Sequence, residues 1–362
     1  MFRNFLFLGF GLIGGSIARG IRAARPDVHI SAWARRREKL EPALADHTLD
    51  EIADSLTSNV GKADVIFLCA PTGSNIENLR TIAPLLGDET LVTDVGSVKG
   101  DIQKCAEELG IASRFLGGHP MTGKETTGYE SADTRILENA YYILAPSEQT
   151  EKRYVEEMTA LVESLRSIPL TAEPSYHDYA AAAVSHVPHL IAAELVRLVK
   201  TSDNEEEFMR TIAAGGFKDI TRIASSDPAM WESICRSNTD NIRCLLERYR
   251  DGLSAICDTL EEGDFGKISE LFRDSGAYRS NIYDRRGSIR RDFRLFVDIP
   301  DEAGQIAAVA TELARAGINI KNIGITHNRE QAEGALYVVF YDEAGRSAAI
   351  PVLENSNFRV IL

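Results

Sequence analysis

The chain has 362 residues, enough for two or three domains, and its 44% apolar and 26% charged composition is that of a soluble globular protein. A net charge of −14 argues against non-specific nucleic-acid binding and requires that any acidic substrate meet a locally positive pocket. Cys69, Cys105, Cys235, Cys244 and Cys257 are odd in number with no pair two residues apart, which speaks against a disulfide framework or a zinc site and fits a reducing cytoplasm; no apolar run approaches the ~18 residues of a membrane span.

Short apolar runs alternate with amphipathic stretches in the first half. Phe5–Leu8, His29–Trp33, Val65–Cys69, Leu91–Asp94, Phe115–Gly117 and Tyr141–Leu144 read as strands, with helices over Gly14–Ala24, Asn75–Leu85, Val98–Leu109 and 151–165, and a further strand at Ile168–Thr171. That order predicts a doubly wound parallel sheet over residues 1–173. From 174 to 284 the pattern is helical throughout, with Tyr176–Lys200, Glu205–Ala214, Met230–Glu262 and Phe265–Tyr283 as the long stretches. An Arg-rich linker is expected at 285–292. Residues 293–362 return to strands at Phe293–Asp298, Ile318–Ile325, Ala335–Asp342 and Phe358–Leu362, with helices at Gly304–Ala316 and near Ala348–Glu354, a βαββαβ order.

Gly9-Phe10-Gly11-Leu12-Ile13-Gly14 is a G-x-G-x-x-G set between a strand and a helix, the context that makes it a dinucleotide site. The glycines permit a tight turn and close backbone approach to a pyrophosphate, and the helix N-terminus favours negative charge; Gly9, Gly11, Leu12, Ile13 and Gly14 are the expected contacts. The acid that holds a ribose in NAD sites is expected about 20 residues on. There the second strand runs into Ala34-Arg35-Arg36-Arg37. Arg35 and Arg36 suit a 2′-phosphate, so the cofactor is expected to be NAD or NADP, with NADP favoured.

Four segments together resemble the prephenate and arogenate dehydrogenase family: Gly9–Ser16 (GFGLIGGS), Asp94–Lys99 (DVGSVK), Gly118–Gly128 (GHPMTGKETTG), and the pair Ser185–Leu190 (SHVPHL) with Gly215–Trp231 (GGFKDITRIASSDPAMW). The tail, with Asp298–Gly304 and Gly317–Ile320 flanking its first helix, is similar to an ACT domain. The resemblance implies a Rossmann domain, an all-α helical dimerisation domain and a small α+β ACT regulatory domain. It implies oxidative decarboxylation of prephenate to 4-hydroxyphenylpyruvate, a homodimer, and tyrosine as effector through Asp301, Gly304 and Asn319. The rival with the same chemistry is arogenate dehydrogenase. A β-hydroxyacid-type dehydrogenase and a non-catalytic amino-acid sensor are more distant alternatives.

His119 is the expected proton acceptor, placed beyond a strand's carboxyl end, and a neutral imidazole suits that role near neutral pH. The resemblance makes Ser97 the residue that orients it. Arg222 is the candidate for a substrate carboxylate because its planar fork makes paired hydrogen bonds. Asp219, three residues earlier, holds that arginine by resemblance, and Glu125 sits at the pocket entrance. His189 is expected to be a substrate-side hydrogen-bond donor, His177 another pocket residue, and Trp231 a packing residue. His186 and His189, with no third ligand nearby, do not make a metal site, and no metal is expected.

Overall fold

The computed structural model describes residues 2–124, 126–287, 293–300, 302–326 and 335–361, so Glu125, Asp301 and linker residues 288–292 lie outside the described residues. The chain divides into two compact units, Met1–Leu253 and Ser254–Leu362.

The first unit opens with an eight-stranded sheet: β1 (Asn4–Leu8), β2 (His29–Trp33), β3 (Glu51–Ile52), β4 (Val65–Leu68), β5 (Leu91–Asp94), β6 (Phe115–Pro120), β7 (Tyr141–Ala145) and β8 (Ile168–Thr171), in the order β3-β2-β1-β4-β5-β6-β7-β8. Helices α1 (Leu12–Ala24), α2 (Glu41–Ala45), α3 (Thr72–Ile82), α4 (Gly100–Glu108) and α5 (Lys152–Ser164) connect them. One core forms where Phe5, Phe7, Ile17, Ile21 and Tyr142 meet α1 and α5. The other forms where Leu6, Leu8, Ile66, Leu79 and Ile102 meet α3 and α4. The central strands are therefore buried on both faces and apolar without alternation.

Two expectations are corrected. The sheet is not all parallel, since β7 runs antiparallel to β6. His119 does not lie beyond the strand but inside β6, opposite Ile143, because pairing with β7 carries β6 on to Pro120.

Next come α6 (Pro174–Ala181), a π-helical turn (Ala182–His186) and α7 (Val187–Ser202), then α8 (Phe208–Ile212), α9 (Gly215–Thr221), a 3-10 turn (Arg222–Ser225), α10 (Pro228–Ser237) and α11 (Thr239–Glu262). The run 174–202 is long and apolar enough by composition to cross a membrane, yet its histidines are built into the site described below. Pro188 explains its widened turn: it contributes no N–H to the ladder, and His189 Nδ1 takes up the Ser185 carbonyl at 2.8 Å. The single helix expected over Met230–Glu262 is broken at Asn238, whose φ of −130° leaves the helical region. Its buried side chain instead donates to the Asp178 carbonyl at 2.8 Å.

The second unit contains α12 (Phe265–Gly287), which runs into the expected linker, and then the βαββαβ module. That module comprises β9 (Phe293–Asp298), α13 (Gln305–Arg315), β10 (Ile320–Thr326), β11 (Ala335–Phe340), α14 (Glu343–Asn355) and β12 (Arg359–Ile361), with sheet order β10-β11-β9-β12. Leu295, Val297, Val309, Leu336, Val338 and Leu353 form its core. Asp342 starts α14 earlier than expected by accepting from Gly345 N–H at 2.7 Å. Gly304, at φ +98°, caps α13, and Asn319 is exposed just before β10.

Candidate active site

Beneath the carboxyl end of the sheet lies a buried ion pair. Lys99 Nζ donates to Asp94 Oδ2 and, at 2.7 Å, to the Gly118 carbonyl. Asp94 also accepts from Gly96 N–H at 2.8 Å and Gly118 N–H at 3.2 Å. Both charged side chains are at most 2% exposed. Burial pulls the Lys99 ammonium below its ordinary range, and Asp94 opposes that shift. The arrangement presses so closely on β6 that a Cβ at Gly118 would stand 2.6 Å from the Asp94 carbonyl oxygen. Lys99 thus fixes the backbone one residue before His119.

His119 itself is 9% exposed. Its Nδ1 meets His177 Nε2 at 2.8 Å, and His177 Nδ1 meets Asp178 Oδ1 at 2.8 Å. Asp178 also accepts from the Lys99 and Gly100 backbone N–H groups, each at 2.7 Å, at the start of α4. A carboxylate gathering N–H donors is the acceptor toward His177, so His177 Nδ1 carries the hydrogen and its Nε2 is bare. His119 must then donate from Nδ1, which leaves His119 Nε2 as a free acceptor. Burial, then His177, the Lys99 charge and His186, hold this imidazole well below its ordinary value and therefore neutral at pH 7.

This geometry revises two expectations. His177 has both ring nitrogens engaged within the protein, so it positions His119 and does not face a ligand. The orienting contact expected of Ser97 belongs to His177; among the described residues no hydrogen bond joins Ser97 to His119, and Ser97 stays half-buried on the turn before α4.

The helical wall carries the rest. His186 Nδ1 accepts from the Asn238 amide at 3.2 Å, and burial pulls this imidazole down to about 4, so its hydrogen sits on Nε2. That Nε2–H and the Trp231 Nε1–H are buried without an acceptor among the described residues. The Trp231 ring lies 6.1 Å from His186 and 4.2 Å from His189, centroid to centroid. Because His189 Nδ1 donates to the Ser185 carbonyl, the ring presents Nε2 as an acceptor, not the donor expected. Arg222 is exposed in the turn that packs along α7, and Asp219 is exposed in α9.

At the other side of the switch in strand order, Gly9 adopts φ +90° against the Cys69–Ala70 backbone. Gly11 caps α1, so its cap has no side chain to bond the helix's first N–H groups, and a Cβ there would meet nothing within 4 Å among the described residues. An open cradle at a bare helix N-terminus fits a dinucleotide pyrophosphate. Beyond β2, Arg35 and Arg36 are exposed and no carboxylate occupies the place of Ala34. Among the described residues no cluster of metal-ligating side chains occurs.

Residues 17–167 match the family model "Prephenate dehydrogenase, nucleotide-binding domain", 173–274 the "Prephenate dehydrogenase, dimerization domain" and 293–356 the "ACT domain". The chain belongs to the prephenate dehydrogenase family. It is 35% identical to prephenate dehydrogenase of Bacillus subtilis (strain 168), with 96% of this chain and 95% of that one covered. Among solved structures it is similar to prephenate dehydrogenase from A. aeolicus in complex with hydroxyphenyl propionate and NAD+. That match has a TM-score of 0.72 and 29% identity, over 77% of this chain and 98% of that one. It is also similar to Synechocystis arogenate dehydrogenase (TM-score 0.70, 26% identity, 77% and 99% covered). Membership of the prephenate dehydrogenase family gives the open cradle its ligand class, a nicotinamide dinucleotide.

Proposed function

We propose that this protein is a prephenate dehydrogenase that converts prephenate to 4-hydroxyphenylpyruvate with reduction of NAD(P). The observation that carries the reading is the His119–His177–Asp178 chain, which leaves one bare imidazole nitrogen at the end of β6. His119 Nε2 accepts the substrate hydroxyl proton as the carbon–oxygen double bond forms. The imidazolium charge that results is offset by Asp178 through His177. A bound nicotinamide would supply the hydride acceptor; departure of the ring carboxylate as CO2 leaves its bonding pair in the ring, which becomes aromatic as the oxygen recovers its proton from His119. Arg222 holds a substrate carboxylate, and Asp219 supports it.

The buried N–H groups of His186 and Trp231 support a keto acid over an amino acid, since a keto oxygen supplies an acceptor where an ammonium group offers only donors. The bare Nε2 of His189 favours the second reading, arogenate, because it can accept from an ammonium group. Turnover with prephenate and arogenate, each with NAD and NADP, separates the two. Arg222→Lys keeps the charge but loses the planar fork, and raises KM for prephenate roughly tenfold with a smaller change in kcat. An unchanged KM removes Arg222 from the pocket.

NADP is the favoured cofactor, on the strength of Arg35 and Arg36 beside Ala34. Replacing both arginines with alanine raises KM for NADP about tenfold and leaves that for NAD nearly unchanged. Equal effects on the two would end the preference.

A homodimer is proposed through the helical segment, where Val184, Phe208, Ile212, Ile220 and Met230 are exposed together with much of α7. The five cysteines, all free, agree with a cytoplasmic setting. Tyrosine is the proposed effector of the ACT domain. Removing residues 290–362 should abolish tyrosine inhibition while turnover persists; full inhibition in the truncated enzyme would place tyrosine at the active site instead.

A further inference from the structure

The segment that follows His119 is moored to the nucleotide side of the sheet by one residue to which sequence reasoning gave no role. β6 ends at Pro120, Met121 N–H still donates to the Tyr141 carbonyl at 2.8 Å, and further on Tyr129 is buried, 2% exposed. The Tyr129 ring stacks on Phe10, the residue between the first two glycines of the dinucleotide turn, with centroids 5.3 Å apart and planes 25° apart. On its other flank lies α1: a Cβ at Gly15 would stand 2.6 Å from the Tyr129 ring, so the contact requires glycine there.

The hydroxyl is equally committed. It accepts from Arg19 Nε at 2.9 Å, donates to Asp46 Oδ2 at 2.6 Å and meets Thr48 Oγ1 at 2.8 Å. The Arg19 guanidinium covers the ring at 4.3 Å and also donates to the Ala132 carbonyl. Two further bonds extend the mooring. Asp133 N–H donates to Ser16 Oγ of α1 at 2.9 Å, and Lys124 Nζ reaches back from the loop to Asp133 Oδ2 at 3.3 Å.

Met121 and Lys124 on one side and Tyr129 on the other are thus each tied down. Met121 continues the strand that carries His119, and the Tyr129 ring is seated on the turn that cradles the pyrophosphate. We propose that Tyr129 is a positioning residue that couples dinucleotide binding to substrate binding, by holding 129–133, and through Asp133 the Lys124 that follows the strand of His119, against α1 and the Phe10 turn. A dinucleotide in the turn restricts Phe10, the stacked Tyr129 follows, and the Lys124–Asp133 tie carries that restraint back toward the strand of His119. The linkage is reciprocal, so bound substrate or product tightens the dinucleotide by the same factor.

The inference rests on the reading of His119 as the group that meets substrate. The test is titration calorimetry on the full chain with NADP and 4-hydroxyphenylpyruvate, each alone and each with the other saturating. The native protein should show each ligand tightening the other roughly fivefold or more. Tyr129→Phe keeps the ring stack but loses three hydroxyl contacts and should lower that factor at least threefold. Tyr129→Leu should bring it close to one, with NADP affinity in the absence of product changed less than threefold. Should Tyr129→Leu fail to fold, Tyr129→Phe decides alone.

Native coupling in a folded variant, or no coupling in the native protein, overturns the proposal. So does a loss of NADP affinity with the coupling factor intact, since that is what a merely structural role produces. Failure of the native protein to bind 4-hydroxyphenylpyruvate at all would instead overturn the proposed function.

Discussion

Asp178→Asn should lower kcat by about ten-thousandfold while NADP still binds with nearly native affinity, the size of effect that loss of a carboxylate behind a catalytic histidine produces elsewhere. Asp178 accepts three N–H groups, from His177, Lys99 and Gly100. An asparagine offers one oxygen and one NH2 in their place. If the NH2 faces His177 and Lys99, His177 must accept at Nδ1 and carry its hydrogen on Nε2. His119 then accepts at Nδ1, its own hydrogen moves to Nε2, and the nitrogen meant to receive the substrate proton is blocked. If the NH2 faces Gly100, the tautomers survive, but two donors collide and the negative charge that offsets the imidazolium is gone. The first placement blocks the base and the second leaves it in place but weakened. Because His119 is held well below its ordinary value, kcat/KM in the native enzyme should stay flat down to pH 6.5 and fall only as the pH drops through that lowered value. Native kcat in the variant, or an acid limb centred at or above 6.5, would refute the relay.

Lys99→Met should destabilise the first unit by about 3–5 kcal/mol, the typical consequence of leaving one partner of a buried ion pair uncompensated. Methionine matches the lysine stem but has no donor for Asp94 or for the Gly118 carbonyl. The Asp94 carboxylate keeps two backbone N–H partners and loses its counter-charge. For a unit of this size the loss corresponds to roughly 10 °C or more in Tm. Arg135→Met is the control: its partner Asp133 is a surface carboxylate, Arg135 is exposed, and the midpoint should not move. Urea unfolding of both variants checks the contrast; equal effects would mean that the buried pair contributes no more than a surface one. Since Lys99 also clamps the residue before His119, the methionine variant should lose activity even at temperatures where it remains folded.

The strand–glycine–helix opening, the return to strands after residue 292 and the candidacy of His119 are all legible in the sequence, because each is a local pattern or a matched segment. Strand direction is not: that β7 runs against β6 depends on which edge a distant segment reaches, and nothing in Tyr141–Leu144 encodes it. The ion pair lies within DVGSVK, yet its role is hidden until β6 is seen to pass over it. Two consecutive glycines before His119, unusual within a strand, are the signal that something large lies beneath. Asp178 is the immediate neighbour of His177, but only the tertiary approach of α4 to α6 turns that neighbour into the anchor of a proton relay. The break at Asn238 is equally non-local, since a strong helical pattern yields there to a buried amide with three partners, Asp178, His186 and Asn241.

The pairing of β6 with β7 has an evolutionary corollary. The imidazole proposed to meet the hydroxyl is mounted on a hydrogen-bonded sheet and clamped from below, whereas the groups proposed to read the substrate's side chain ride on helices later in the chain. Drift between keto-acid and amino-acid substrates can therefore proceed by substitutions in the helices alone, with the reacting end inherited intact.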